Sequence, residues 1–191
     1  MPQSTFLIQE NLRKNYRTNG SITEDKKSYR AIIIEDHRPD EVFIFFRNLE
    51  NLPFFIKGLK SISILSPVLS HWEVQLKSGA KAQCDVAIIE EIPNVMLSWQ
   101  SVTNAQITSS GSVWFRKGPS GAGTIVKLSM DFDLPGGKIA ELSALLTGED
   151  LDSLATTNLH RLKAFLETGE IPTIEGQSSG REALTHESLK H

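Results

Sequence analysis

Over two stretches of this chain, 29–36 and 62–134, apolar and polar positions alternate in short runs, and turn residues close most of them. That period of two is the pattern of strands with one buried face. "YRAIIIED" (29–36) predicts a first strand rich in β-branched residues. From Ile62 the runs come in series: "ISIL", "VLSHWEVQLK", "KAQCDVAIIEEI", "VMLSWQSV", "GSVWFRK" and "TIVKLSMDFDL". Ser66-Pro67, Ser78-Gly79, Pro93-Asn94 and the loop from Gly118 to Gly123 separate them. Such hairpin-like spacing predicts an antiparallel meander. In the last run Val126, Leu128, Met130, Phe132 and Leu134 share one face, opposite Lys127, Ser129, Asp131 and Asp133. Val68, Trp72, Val74 and Leu76 stand likewise opposite His71, Glu73, Gln75 and Lys77. The sheet is expected to be apolar on one face and wet on the other.

Two stretches depart from this period. In "RPDEVFIFFRNLENLPFFIKGLKS" (38–61) Val42, Phe45, Phe46 and Leu49 form a helical stripe. Asp40 favours the positive end of that helix. Pro53 forbids one continuous helix, because its missing N–H and ring clash cost ~3 kcal/mol in a helix interior. It suits the first turn of a second short helix instead. After Pro135-Gly136-Gly137 the helical period returns with Ile139, Leu142, Leu145 and Leu146. It continues through Leu151, Leu154, Ala155, Asn158, Leu159, Leu162, Phe165 and Leu166 to Gly169, a natural helix stop. A long helix with an apolar stripe is expected to lie across the apolar face of the sheet. The fold class is therefore α+β, ordered as strand, two short helices, a run of strands and a long helix.

The flanks are polar. Residues 1–28 read as an extension with one small cluster, Phe6-Leu7-Ile8, and residues 169–191 as a tail with too few apolar side chains for a core. The domain is expected over 29–168. With 39% hydrophobic and 23% charged residues and a net charge of −3, the chain lacks the clustered basic excess of a nucleic-acid binder. Arg13, Lys14, Arg17, Lys26, Lys27 and Arg30 gather loosely and read as a solvated arm, with peripheral membrane contact as an open alternative. A single cysteine, Cys84, excludes an intrachain disulfide. No apolar run approaches the ~18 residues of a membrane span, and the N-terminus lacks the apolar centre of a signal peptide. The expectation is a soluble, cytoplasmic protein of unknown oligomeric state.

Four stretches carry a specific resemblance. They are "DEVFIFFRNLENLPFFIKGLKSI", "WEVQL" with "AQCDVAIIEEIPNVMLSWQS", "GSVWFRKGPSGAGTIVKLSMDFDLPGG" and "NLHRLKAFLETGEIPTIEGQSSGR". Their aromatic opening, Asn-Leu-Pro turn, paired tryptophans and glycine lead into a long helix are similar to the START/SRPBCC superfamily. The closest likeness is to its polyketide cyclase/dehydrase and coenzyme Q-binding group. The resemblance implies a helix-grip fold, in which a curved antiparallel sheet wraps a long C-terminal helix. It also implies a cavity for a hydrophobic ligand: a lipid, an isoprenoid quinone or a polyketide-like molecule. The sheet wall would be Trp72, Val74, Cys84, Val86, Trp99, Val113, Phe115, Leu128, Met130 and Phe132. Phe54 and Phe55 would close one end, and Leu142, Leu146, Leu154, Asn158 and Leu162 the helix side.

Binding without catalysis is the main reading. An aromatase/cyclase-type enzyme would need an inward ionisable group, and Arg116 or Asp85 would have to turn inward against the alternation. A third reading is an interaction or stress-response module with its cavity packed shut. No cofactor or metal is expected, since only His186 and His191 approach helical ligand spacing. The glycine-rich loop 118–123 lacks a phosphate-loop lysine and joins two strands, so it reads as a hairpin. Pro135-Gly136-Gly137 reads as a close strand-to-helix turn. Cys84, among apolar neighbours, reads as an inert small hydrophobe. Asn158 interrupts an apolar stripe, so its amide must find a partner or cost ~1–3 kcal/mol.

Overall fold

The computed structural model describes residues 29–102, 107–119, 121–133 and 150–170. The extension 1–28, the tail from 171, the Pro135-Gly136-Gly137 turn, Leu142 and Leu146 lie outside the described residues. Strand β1 (Arg30–Ile34) leads into helix α1 (Pro39–Arg47), a 3-10 turn (Leu49–Asn51) and helix α2 (Leu52–Phe55). Six strands follow: β2 (Leu59–Ser66), β3 (Leu69–Gln75), β4 (Lys81–Ile92), β5 (Met96–Ser101), β6 (Thr108–Lys117) and β7 (Thr124–Asp133). Helix α3 (Leu151–Thr168) completes the order that the hydrophobic pattern predicts.

Local chemistry sets the helix boundaries. Pro39 opens α1, and the Glu41 carboxylate accepts the Arg38 N–H at 2.9 Å, meeting one orphan donor of the first turn. Asn48 leaves the helical conformation, and Pro53 sits in the first turn of α2. At α3, Asp150 Oδ1 accepts the Ser153 N–H at 2.9 Å, and Gly169 ends the helix at φ 72°.

All seven strands form one antiparallel sheet in the order β1-β7-β6-β5-β4-β3-β2. Every hairpin is a neighbour pair, and β1 closes on β7. The register puts Trp72 beside Cys84, Ile88 beside Trp99, and Trp99 beside Gly111, which in turn meets Met130. Gly111 is needed there for space: an added Cβ would lie 2.3 Å from Trp99 Cζ2 and 2.5 Å from the Ser129 carbonyl oxygen. The expected inward stripe of β7, from Val126 to Phe132, is buried, as are Ala82, Cys84, Val86 and Ile88 of β4.

Helix α3 lies along β1 and β7 and against α2. It buries Leu154, Ala155, Asn158, Leu159 and Leu162, while Phe165 and Leu166 are half-buried. Helix α1 covers β6 and β7, and the 3-10 turn and α2 pack on β2. The helical segment before β2 therefore shares with α3 the task of closing the concave face. Each fully buried large side chain there contributes roughly 1.5–3 kcal/mol. The inner face is less uniformly apolar than the alternation suggests, because Ser70, Ser101 and Ser109 are also buried on it.

Candidate ligand cavity

A cavity of about 20 Å³ lies between the sheet and the segment that runs from α1 to α2. Phe46, Leu49, Leu52 and Ile56 bound it on the helical side. Ser70, Trp72, Val86, Ile88, Leu97, Trp99 and Met130 bound it on the sheet side. The volume is close to that of a single water, and a buried water needs two to four polar partners. Ser70 is the one polar residue in the lining, so the space suits hydrocarbon better.

The two tryptophans are fixed by serines. Trp72 Nε1 donates to Ser70 Oγ at 2.8 Å, and Ser70 Oγ donates to the Val86 carbonyl at 3.3 Å. Trp99 Nε1 donates to Ser109 Oγ at 3.3 Å, while the Ser109 N–H donates to Ser101 Oγ at 2.7 Å. Both indole N–H groups are thus satisfied within the wall, and the rings present carbon to the cavity.

A second set of contacts ties the helical segment down. Asn158 Oδ1 accepts the Lys57 N–H at 2.9 Å, and Asn158 Nδ2 donates to Met130 Sδ at 3.5 Å. Arg161 donates from Nε to the Phe55 carbonyl at 3.1 Å and from Nη2 to the Phe54 carbonyl at 3.2 Å. Those carbonyls belong to the last residues of α2, which have no acceptor role inside so short a helix. One face of α3 therefore caps α2 and touches a cavity-lining residue.

Of the residues expected to form the cavity, Trp72, Val86, Trp99 and Met130 line it. Phe55, Val74, Cys84, Val113, Phe115, Leu128, Phe132, Leu154, Asn158 and Leu162 are buried in the core around it. Phe54 stands apart. The residue is 49% exposed, and its ring stacks on Phe165 at 5.5 Å between centroids with a 4° tilt. The sequence reading missed Leu49, Leu52, Ile56, Ser70, Ile88 and Leu97 as lining residues. The signal for Ser70 was present, since it shares Trp72's face two positions away.

The ionisable groups lie elsewhere. Asp85 Oδ1 lies 2.6 Å from His71 Nδ1 on the outer face, where both are partly exposed, and Arg116 is exposed. Burial pushes the Cys84 thiol up to about 11, against a smaller opposing hydrogen bond from Ser101, so the thiolate nucleophile is scarce near neutrality.

No family model matches the chain, and no curated protein matches it in sequence. Solved structures do. A Deinococcus radiodurans protein is 22% identical, with 76% of this chain and 100% of that one covered and a TM-score of 0.61. A Thermus thermophilus protein is 20% identical, with 73% and 98% covered and a TM-score of 0.55. The di-domain ARO/CYC protein StfQ of the steffimycin biosynthetic pathway is 12% identical at a TM-score of 0.51, and 74% of this chain spans 50% of StfQ. The chain shares the fold of these structures, a helix-grip arrangement of a curved antiparallel sheet and a C-terminal helix. No helix among its described residues is long and apolar enough to cross a membrane.

Proposed function

We propose that the domain over 29–168 binds a hydrophobic small molecule between the sheet and the helices, and does no chemistry on it. A lipid, an isoprenoid quinone or a polyketide-like molecule has the required chemistry. The observation that carries this reading is the apolar lining formed around Trp72 and Trp99, whose only polar atoms are already paired. Burial of apolar ligand surface at ~25 cal/mol per Å² would supply most of the affinity. The hydroxyl of Ser70 is the one lining group able to orient a polar end.

Ligand cavities usually hold roughly 300–1,000 Å³, so the 20 Å³ space is a closed state. Leu49, Leu52 and Ile56 must move outward for a ligand to enter. That movement breaks the bonds from Arg161 and Lys57 described above, which makes the segment from the 3-10 turn to Ile56 the lid. The ARO/CYC description of StfQ keeps cyclase chemistry in view. Against it here stands the outer-face position of Asp85 and the exposure of Arg116, the groups such chemistry would have to draw on.

The small closed volume favours one other reading, an interaction module that never opens. Titration with an apolar fluorescent probe, followed through the Trp72 and Trp99 emission, separates the two. Saturable binding that Leu52→Trp abolishes in a folded variant supports the carrier. No saturable binding across acyl, prenyl and polycyclic aromatic probes would favour the closed module.

A further inference from the structure

The outer face of the sheet, turned away from the cavity, carries an open groove of about 490 Å³. Tyr29 and Ala31 line it from the start of β1, Ile125 and Lys127 from β7, and Trp114 and Arg116 from β6. The register sets Lys127 between Ala31 and Trp114, and Ile125 beside Arg116 in the next row of the same face. Same-face neighbours along a strand are about 7 Å apart, so Arg116 stands that far from Trp114, with Lys127 beside the indole. The Lys127 ammonium lies 4.1 Å from the centre of the Tyr29 ring. Neither the Trp114 indole N–H nor the Arg116 guanidinium has a hydrogen-bond or ion-pair partner among the described residues. Indole, guanidinium and ammonium groups can only donate hydrogen bonds. No carboxylate lines the groove. On this face of β7 Asp131 lies four residues beyond Lys127, about 14 Å along the strand. Two exposed cations and a half-exposed aromatic face therefore stand together with nothing negative in the lining.

We propose that this groove binds a free nucleoside monophosphate, with its base on Trp114 and its phosphate between Arg116 and Lys127. A nucleobase stacks on an aromatic side chain through its π-face, and the half-exposed Trp114 offers such a surface. A phosphate monoester carries about −1.5 to −2 charges near neutral pH, enough for both cations, where a carboxylate would satisfy one. The guanidinium fork matches two phosphate oxygens, and the ammonium meets a third. The distance from Trp114 to Arg116 is of the order that the ribose places between a base and its phosphate. A polymer fits this face less well, because Asp131 farther along β7 repels a continuing phosphate backbone. The groove and the cavity lie on opposite faces of the sheet, so this site stands independently of the carrier reading.

The test is titration calorimetry of the full chain with adenosine monophosphate, adenosine, inorganic phosphate and an adenylate octamer, each alone. The expected result is saturable binding of the monophosphate, weakened by added salt. Adenosine and inorganic phosphate should each bind markedly less well, since each lacks one half of the recognised chemistry. Trp114→Ala should weaken binding of the monophosphate roughly tenfold, as loss of one stacking surface implies. Arg116→Gln should weaken it too and flatten its salt dependence. Lys77→Gln, in the turn between β3 and β4, should leave it unchanged. Thermal melting checks that each variant is folded, and the exposed Arg116 keeps the test valid if Trp114→Ala is not. Absence of saturable binding of the monophosphate overturns the proposal. So does binding that Trp114→Ala and Arg116→Gln leave intact, or inorganic phosphate binding equally well. An octamer that binds far more tightly than the monophosphate would assign the groove to single-stranded nucleic acid instead. Because no cavity ligand enters this experiment, failure of the carrier reading leaves its outcome untouched.

Discussion

Asn158 Oδ1 accepts the N–H of Lys57 at 2.9 Å, joining two residues 101 positions apart across the junction of α3 and the loop that follows α2. The amide is fully buried, and its other end reaches Met130 in the cavity wall. One side chain thereby links long helix, the loop after α2 and the sheet. Asn158→Leu leaves a backbone N–H without its acceptor, so stability should fall by about 1–3 kcal/mol. Urea denaturation measures this, and an unchanged midpoint would mean that water replaces the amide at no cost.

The serine partners of the tryptophans make a parallel prediction. Ser70→Ala removes the acceptor of the Trp72 indole N–H, and Ser109→Ala removes that of Trp99. Each change should cost about 1–3 kcal/mol and alter the near-ultraviolet circular dichroism of one tryptophan. Equal spectra in mutant and parent would contradict the assigned pairing.

How much of this was readable in the chain follows from what a hydrophobic period encodes. Alternation states which residues share a face, and it put Trp72 and Met130 on the apolar one, while Val86 and Trp99 entered the expected wall through the family resemblance. Pro53 located the break between the short helices. A period does not state what fills the space opposite a face, so it could not reveal that Leu49, Leu52 and Ile56 border a space of only about 20 Å³. Nor could it choose between Phe54 and Phe55. A helix of 4 residues is too short to define an inward stripe, and only packing against Phe45, Phe46 and Phe165 separates them. Asn158 was legible as a buried amide in need of a partner, but a backbone N–H in a loop leaves no mark on the sequence.

Gly111 gives a steric prediction. Because a Cβ there would overlap the Trp99 ring and the Ser129 carbonyl, Gly111→Ala must push one of them aside. Overpacking of this kind costs typically about 1–3 kcal/mol. The Trp99 contribution to fluorescence should shift together with the melting temperature, and a shift in neither would place the ring elsewhere.

Cys84 gives a pH dependence. Its ordinary value near 9 is raised to about 11 by burial in the folded chain. The neutral thiol is the form the fold favours, so its contribution is complete below about pH 9 and is lost as pH rises toward about 11. Cys84→Ser or Cys84→Ala should flatten the alkaline part of the stability curve. In the parent protein, iodoacetamide labelling near neutral pH should be slow until denaturant is added, and rapid labelling of the folded chain would contradict its burial.

The central claim, that the space between sheet and lid takes a hydrophobic molecule, is tested most directly by mass spectrometry of an organic extract from protein purified without denaturation. The account predicts a lipid, prenyl or polyketide-like compound at near one equivalent, and its loss from the Leu52→Trp variant purified in the same way. An extract with no such compound, or one equally rich from the folded variant, would contradict it.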